Sequence, residues 1–253
     1  MKPLILITND DGIEARGIEF LAKQVSSLGD VVVVAPDSPR SGQSCAITVT
    51  NPLRLFKVKE EGNIVYYKTT GTPVDCIKLA LHTVLSRRPD IILSGINHGS
   101  NSGVSTMYSG TMGAAYEGAI IGIPSVGFSL CDHSPEADFT PCAEVVQRVC
   151  KAVLENGLPD SVCLNVNVPV GVDIKGIKVC KQAMGYWTEE YERHVDSHGR
   201  EFYWLTGYFV NTSLKDSSTD EDLLSQGYIT IVPTSCDRTA TTSIPFVEDI
   251  IKI

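Results

Sequence analysis

The sequence predicts an α/β fold: a Rossmann-like, mostly parallel sheet flanked by helices, with a C-terminal β-hairpin and oligomerisation extension. Three observations carry this. Apolar runs without polar alternation recur at Leu4–Ile7, Val31–Ala35 and Ile91–Leu93, the mark of strands buried on both faces, and Val162–Val168 reads as another parallel-type strand. Segments with apolar residues at helical spacing lie between them, which gives β-α-β order and a right-handed crossover. Beyond Pro169 the composition turns charged and aromatic.

Leu4-Ile5-Leu6-Ile7-Thr8 ends abruptly in Asn9-Asp10-Asp11-Gly12, so a buried strand delivers adjacent carboxylates into a turn at its carboxyl end. Two neighbouring anions repel, and a fold that keeps them together usually supplies a cation or a shared proton. The structural alternative is an Asx turn with Asp10 capping the next helix and Asp11 solvated. Gly17 to Val25 reads as that helix, closed by Gly29, and Val31 to Pro36 as the second strand. Asp37 to Ser44 follows as a polar, turn-rich loop on the same rim as Asp10 and Asp11.

Ile47–Val49, Leu53–Val58 and Ile64–Lys68 read as short strands of an antiparallel excursion. Thr72 as N-cap, Pro73 at the first helical position and Asp75 in the first turn start a helix that runs to about Ser86. Asp90 to Asn97 is a third buried strand, and His98 to Ser105 a loop rich in Gly, Ser and Asn. Tyr108-Ser109-Gly110-Thr111 opens a helix whose Gly113, Ala114, Gly118 and Ala119 allow close backbone approach. Ser125–Leu130 and Val162–Val168 are further strands, and Phe139–Asn156 an amphipathic helix stopped by Gly157. In the last third, Gly176–Lys181, Phe202–Phe209 and Tyr228–Pro233 read as strands, Thr219–Leu224 as a capped short helix, and Pro245–Ile253 as an amphipathic tail. Phe202–Phe209 is too aromatic for water, so it packs on the main body or projects into a neighbouring subunit. The chain is expected to form one domain over 1–253, with a core to about 170 and an arm from about 171.

With 253 residues, 43% hydrophobic and 20% charged, the chain has ample apolar surface for such a domain. A formal net charge of -9 argues against binding a nucleic-acid polymer, although a divalent cation could still bring in a small phosphorylated ligand. The 8 cysteines form no CxxC pair and mostly keep apolar company, which points to buried thiols in a reducing compartment. No apolar span is long enough to cross a membrane, and the N-terminus lacks a signal h-region, so a soluble cytoplasmic protein is expected.

Topology brings four segments to one rim: Asn9–Gly12, Pro39–Ser44, Ser94–Asn101 and Ser109–Thr111. Their carboxylates, hydroxyl and amide carbonyl form an all-oxygen set suited to Mg²⁺, Mn²⁺ or Ca²⁺. The Ser109-Gly110-Thr111 helix start offers free N–H groups and hydroxyls to a phosphate. Together they imply phosphoryl-ester chemistry. The structural alternatives are a plain cap at Ser109, left-handed turns at Asn97 and Asn101, and a loop role for His98. His194 and His198 have the spacing of a helical metal pair, but polar surroundings favour solvated side chains.

These motifs closely resemble the SurE family of stationary-phase survival proteins: Leu4 to Gly12, Ala35 to Gly42, Gly71 to Cys76, Ser94 to Asn101 and Tyr108 to Ala115. The resemblance implies a metal-dependent 5′-nucleotidase with catalytic Asp10 and Asp11 and one divalent cation (Mg²⁺ or Mn²⁺) per subunit, held by Asp10, Asp11, Ser41 and Asn97. It implies phosphate and substrate contacts from Asn9, Asn101, Ser109, Gly110 and Thr111. It further implies activity on nucleoside monophosphates, and some members of the family also act on 3′-nucleotides or short polyphosphate. A homodimer or homotetramer would exchange the C-terminal hairpin and tail. One departure stands out: the family usually carries an Asp between Gly103 and Tyr108, where this chain reads Val104-Ser105-Thr106-Met107. Two rivals are weaker. A Mg²⁺-binding receiver module would need a phosphoacceptor Asp where the third strand ends in Ser94-Gly95-Ile96-Asn97. A dinucleotide-binding oxidoreductase would need GxGxxG where Asn9-Asp10-Asp11-Gly12 stands.

Overall fold

The computed structural model describes residues 2–213 and 216–252; Met1, Leu214, Lys215 and Ile253, the last residue of the expected tail, lie outside them. In chain order the first half comprises β1 (Leu4–Thr8), α1 (Arg16–Val25), β2 (Asp30–Pro36), β3 (Leu55–Glu61), β4 (Ile64–Thr69) and α2 (Pro73–Leu79). Next come β5 (Ile91–His98), α3 (Gly110–Ile120), β6 (Ser125–Leu130), α4 (Ala143–Asn156) and β7 (Val162–Val168). The last third holds β8 (Gly176–Val179), β9 (Gly185–Thr188), β10 (Tyr191–Val195), β11 (Glu201–Leu205), β12 (Tyr208–Asn211), α5 (Asp220–Ser225), β13 (Tyr228–Ser235) and α6 (Ile244–Ile251).

Among the described residues these strands form one 9-stranded sheet in the order β3-β4-β2-β1-β5-β6-β7-β13-β8 and two short ribbons. The strands from β4 to β7 run parallel, as do β13 and β8, while β3 and β13 run antiparallel to β4 and β7. The expected mostly parallel α/β architecture is present. Its cause is visible along β1: Ile5 and Ile7 face α1 and α4, while Leu6 faces α2 and α3. Both faces are covered, so the strand has no solvent side to make polar. β8 and β13, from the stretch expected to form the arm, rejoin the main sheet.

The α2 and α3 helices obey their local signals, whereas the expected cap of α5 is missing: the Thr219 hydroxyl donates back to the Asp216 carbonyl at 3.3 Å instead. Thr72 and Asp75 form a reciprocal capping box, with Asp75 N–H donating to Thr72 Oγ1 at 3.1 Å and Thr72 N–H to Asp75 Oδ2 at 2.9 Å. After α2 the helix closes with a π turn over Ala80–Val84, close to the expected end. The small residues of α3 serve as expected. A Cβ on Gly113 would lie 2.2 Å from the Ser44 carbonyl, and one on Gly118 2.0 Å from Ser125 Oγ.

Three expectations need correction. Ile47–Val49 is not a strand. The Asp75 carboxylate accepts the Thr48 N–H at 3.1 Å and its hydroxyl at 2.6 Å, so this backbone is satisfied without a sheet partner. The excursion is not wholly antiparallel either, because β4 extends the main sheet parallel to β2. Phe202–Phe209 is not one strand. It breaks at Gly207, whose φ of +97° and 2.5 Å clearance from the Thr188 carbonyl exclude a side chain. β11 then pairs with β10, and β12 with β9. His194 lies on β10, stacked on Phe202 at 5.5 Å, and His198 in the following turn, so the two share no helix.

Candidate active site

The turn after β1 is closed by Asn9. Its amide Nδ2 donates to the Gly12 carbonyl at 2.9 Å, and its Oδ1 accepts the Gly12 N–H at 3.2 Å. Asn9 is fully buried, and both polar ends of its side chain serve the turn. This frees Asp10 from any capping duty: α1 begins only at Arg16, capped at Ala15 without a side-chain bond. The Asp10 carboxylate instead crosses to α3, where Thr111 Oγ1 donates to Oδ1 at 2.5 Å.

The start of α3 comes unusually near. A Cβ on Gly110 would stand 2.8 Å from Asp10 Cβ and 3.0 Å from Oδ2, so glycine is what lets the helix terminus meet the carboxylate. Ser109 caps this helix by accepting the Met112 N–H at 3.0 Å. The Arg40 N–H donates to the Asp10 carbonyl at 2.7 Å, tying the loop after β2, with Ser41 next in line, to the same turn.

β5 delivers the remaining side chains through an irregularity. Its pairing with β6 slips between Ser94 and Asn97, which re-aims the end of the strand. Asn97 Nδ2 donates to the Gly99 carbonyl at 2.8 Å, and Oδ1 has no hydrogen-bond partner among the described residues. His98 clamps Asp11: its backbone N–H and its Nδ1 both lie 3.2 Å from Asp11 Oδ2. Asn101 is buried in an amide network, donating to Ser129 Oγ at 2.8 Å and receiving Asn165 Nδ2 on its carbonyl at 2.8 Å.

Asp10, Ser41, Asn97, Asn101 and Ser109 all line one cleft of about 650 Å³, within the range of small-ligand sites. Asn9, Asp11, Gly110 and Thr111 stand behind it, holding its turn, its histidine and its carboxylate. Ser105, at the departure from the usual acidic loop, also reaches the cleft. The rest of the lining was not anticipated from sequence. Trp187, Tyr191, Phe209 and Glu221 come from the C-terminal third, and His133 from the loop after β6. No motif marks them; the aromatic excess after Pro169 was the only signal.

Burial dominates the electrostatics here. It raises the Asp10 carboxyl to about 6, opposed by the Thr111 hydroxyl and reinforced by the neighbouring Asp11 charge. No Lys, Arg or His pairs with Asp10 among the described residues. A buried carboxylate without a cation of the protein's own, next in sequence to a second carboxylate and sharing its cleft with the Asn97 amide, fits a hard divalent ion. No trio of His, Cys, Asp and Glu converges among the described residues, so zinc-type ligation has no candidate there.

Comparison with known proteins agrees. The family model described as Survival protein SurE matches residues 5–189. The chain belongs to the SurE family. The 5′-nucleotidase SurE of Bacteroides thetaiotaomicron is 51% identical over 241 residues, covering 94% of this chain and 92% of that protein. The 5′-nucleotidase SurE of Phocaeicola vulgatus is 48% identical, covering 94% and 93%. The crystal structure of the SurE protein from Aquifex aeolicus superposes with a TM-score of 0.83 at 36% identity, covering 98% of this chain and 100% of that one. The SurE resemblance and the α/β fold read from the motifs are therefore borne out across nearly the whole chain.

Proposed function

We infer that the chain is a 5′-nucleotidase, a hydrolase that releases phosphate from nucleoside 5′-monophosphates. The observation that carries this reading is Asp10, a buried carboxylate without a cationic partner, set against the open start of α3. Its SurE relatives bear the same activity in their names. Asp10, Asp11, Ser41 and the Asn97 amide oxygen would hold one divalent cation, Mg²⁺ or Mn²⁺. When bound, that cation supplies Lewis acidity toward a phosphoryl oxygen and lowers the pKa of a water.

The protein's own groups do the rest. Thr111 fixes one Asp10 oxygen and leaves the other facing Gly110; His98 fixes Asp11. The Ser109 hydroxyl and the backbone amides at the start of α3, with Asn101 beside them, orient the phosphoryl oxygens and favour charge that grows in transfer. Asn9 acts from behind by holding the Asp10 turn. Trp187, Tyr191 and Phe209 offer ring faces to a nucleobase. No cysteine is required as a nucleophile, and the buried thiols of Cys76, Cys142 and Cys163 are pushed well above the ordinary thiol range by desolvation.

The protein works as a homodimer or homotetramer in the cytoplasm. Supporting the oligomer, Tyr203, Trp204 and Leu205 on β11 are more than half exposed. α6 is likewise uncovered, with Ile244, Phe246, Val247, Ile250 and Ile251 open to solvent. No helix among the described residues is long and apolar enough to cross a membrane. The reading is tested with Asp10→Asn, assayed on nucleoside monophosphates at saturating metal. A loss of at least about 10³-fold in kcat is expected, by analogy with removal of a key electrostatic group. Turnover like the wild type's would sink the assignment.

A further inference from the structure

β7 carries two buried amides that metal binding and phosphate orientation leave without a task. Its sequence alternates Leu164, Val166 and Val168 with Cys163, Asn165 and Asn167, although Asn is depleted from strand interiors. Asn165 and Asn167 are both buried, so each amide needs partners inside the protein. They find them on Asn101. Asn167 Oδ1 accepts the Asn101 N–H at 2.9 Å, and Asn165 Nδ2 donates to the Asn101 carbonyl at 2.8 Å. Asn167 Nδ2 donates in turn to Asn165 Oδ1 at 3.0 Å, which closes the set.

These bonds fix which way each amide points. A backbone N–H requires an acceptor and a carbonyl requires a donor. Turning either amide over would set oxygen against oxygen and N–H against N–H. The two side chains therefore lock each other and grip Asn101 on both sides of its Cα. Ser100 is drawn into the same clamp, its Oγ donating to Asn167 Oδ1 at 3.3 Å. What the clamp leaves to be placed is the Asn101 side chain. It lines the cleft shared with Asp10, Ser41 and Asn97, and its Nδ2 donates to Ser129 Oγ at 2.8 Å. An amide nitrogen carries two hydrogens, so one remains for a ligand oxygen. Asn165 and Asn167 themselves are not among the residues that line the cleft.

We propose that Asn165 and Asn167 are positioning residues for phosphate release, their interlocked amides holding the Asn101 backbone so that its side chain meets the phosphoryl group. The proposal rests on the phosphomonoesterase reading above, with Asn101 as a phosphate contact, and adds the residues through which that contact is set. Such a contact contributes to rate only while its geometry is held, which gives a clamp on both sides of one Cα a use beyond cohesion. In a purely structural role the two amides would only join β7 to the loop after β5. Their loss would then weaken the fold without acting through Asn101.

The test is a double-mutant cycle on the full-length protein, read as kcat/KM for AMP with Mn²⁺ and accompanied by thermal unfolding. The variants are Asn101→Ala, Asn165→Ala, Asn167→Ala and the two pairs that combine Asn101→Ala with each of the others. Asn101→Ala should lose roughly tenfold, as expected for a lost hydrogen bond to a charged oxygen. Each β7 variant should lose about as much. Added to Asn101→Ala, neither should cost more than about twofold further, because the contact it serves is already gone. The Mn²⁺ concentration for half activation should not change, since the clamp holds no metal ligand. Should Asn165→Ala or Asn167→Ala not fold, Asn165→Ser and Asn167→Ser, whose hydroxyls are one bond shorter than the amide, carry the same cycle. Losses that multiply across the pairs, or a metal requirement that rises as activity falls, would show a structural role and overturn the proposal. So would full activity in both β7 variants, or in Asn101→Ala beside an active wild type. A wild type inactive on every nucleoside monophosphate would instead overturn the phosphomonoesterase reading on which the proposal stands.

Discussion

Asp10 sets stability against activity. Its carboxyl is raised from 3.8 to about 6, chiefly by burial, so without metal the folded protein holds a proton that the unfolded chain releases near pH 4. Between those values the native state binds more protons than the unfolded state, and stability falls as pH rises. The shift corresponds to on the order of 2–3 kcal/mol lost between pH 4 and pH 7 in the metal-free protein. Asp10→Asn removes this titration and keeps an acceptor for Thr111. In EDTA the variant should therefore unfold at higher urea than the wild type at pH 7, with the advantage vanishing toward pH 4. Parallel pH profiles for the two proteins would contradict the assignment of this strain to Asp10. The sequence displayed this residue through convergence: an apolar strand that stops at two acids also suits a plain turn, and the three later segments reaching the same rim decided between them. It did not display the division of labour around it. That Asn9 holds the turn, Thr111 holds Asp10 and His98 holds Asp11 depends on side chains far apart in sequence, which no local pattern records.

The α3 helix shows how a glycine in a motif becomes geometry. Gly110 lies where any Cβ would press on Asp10 within 3 Å, so Gly110→Ala must move either the helix start or the carboxylate. A displacement of that size at a catalytic group costs about 10²-fold in rate. Gly110→Ala should show that loss in kcat with its far-ultraviolet circular dichroism unchanged; full activity would mean the close approach has no catalytic use. Other elements were legible to different degrees. The buried parallel strands and the Thr72 N-cap followed from periodicity and cap chemistry alone. The Ile47–Val49 segment misled because its β-branched residues suit a strand, whereas Asp75 satisfies the Thr48 backbone locally. Phe202–Phe209 misled because the break depends on Gly207 meeting the Thr188 carbonyl, a cross-strand contact where β12 begins to pair with β9. Trp187 and Glu221 were invisible as site residues for the same reason: only the folded arm brings them to the cleft.

For the molecule as a whole, one sheet organises the chemistry. Its parallel centre presents β1, β2 and β5 with their carboxyl ends on one rim, and α3 closes that rim with its N-terminus. The C-terminal third then does two things, completing the sheet through β8 and β13 and walling the cleft through β9 to β12 and α5. What it leaves uncovered is apolar, including Trp204 on β11 and Phe246 on α6. Light scattering should accordingly report a dimer or tetramer, and Trp204→Glu should shift it toward smaller species; a wild-type monomer at tens of micromolar would refute the oligomeric reading. The central claim is a cation-dependent phosphomonoesterase built on Asp10 and Asp11, and phosphate release from nucleoside 5′-monophosphates tests it most directly. The purified protein should release phosphate with Mg²⁺ or Mn²⁺, fall to background in EDTA, and recover when metal is restored. Phosphate release that persists undiminished in EDTA would contradict it.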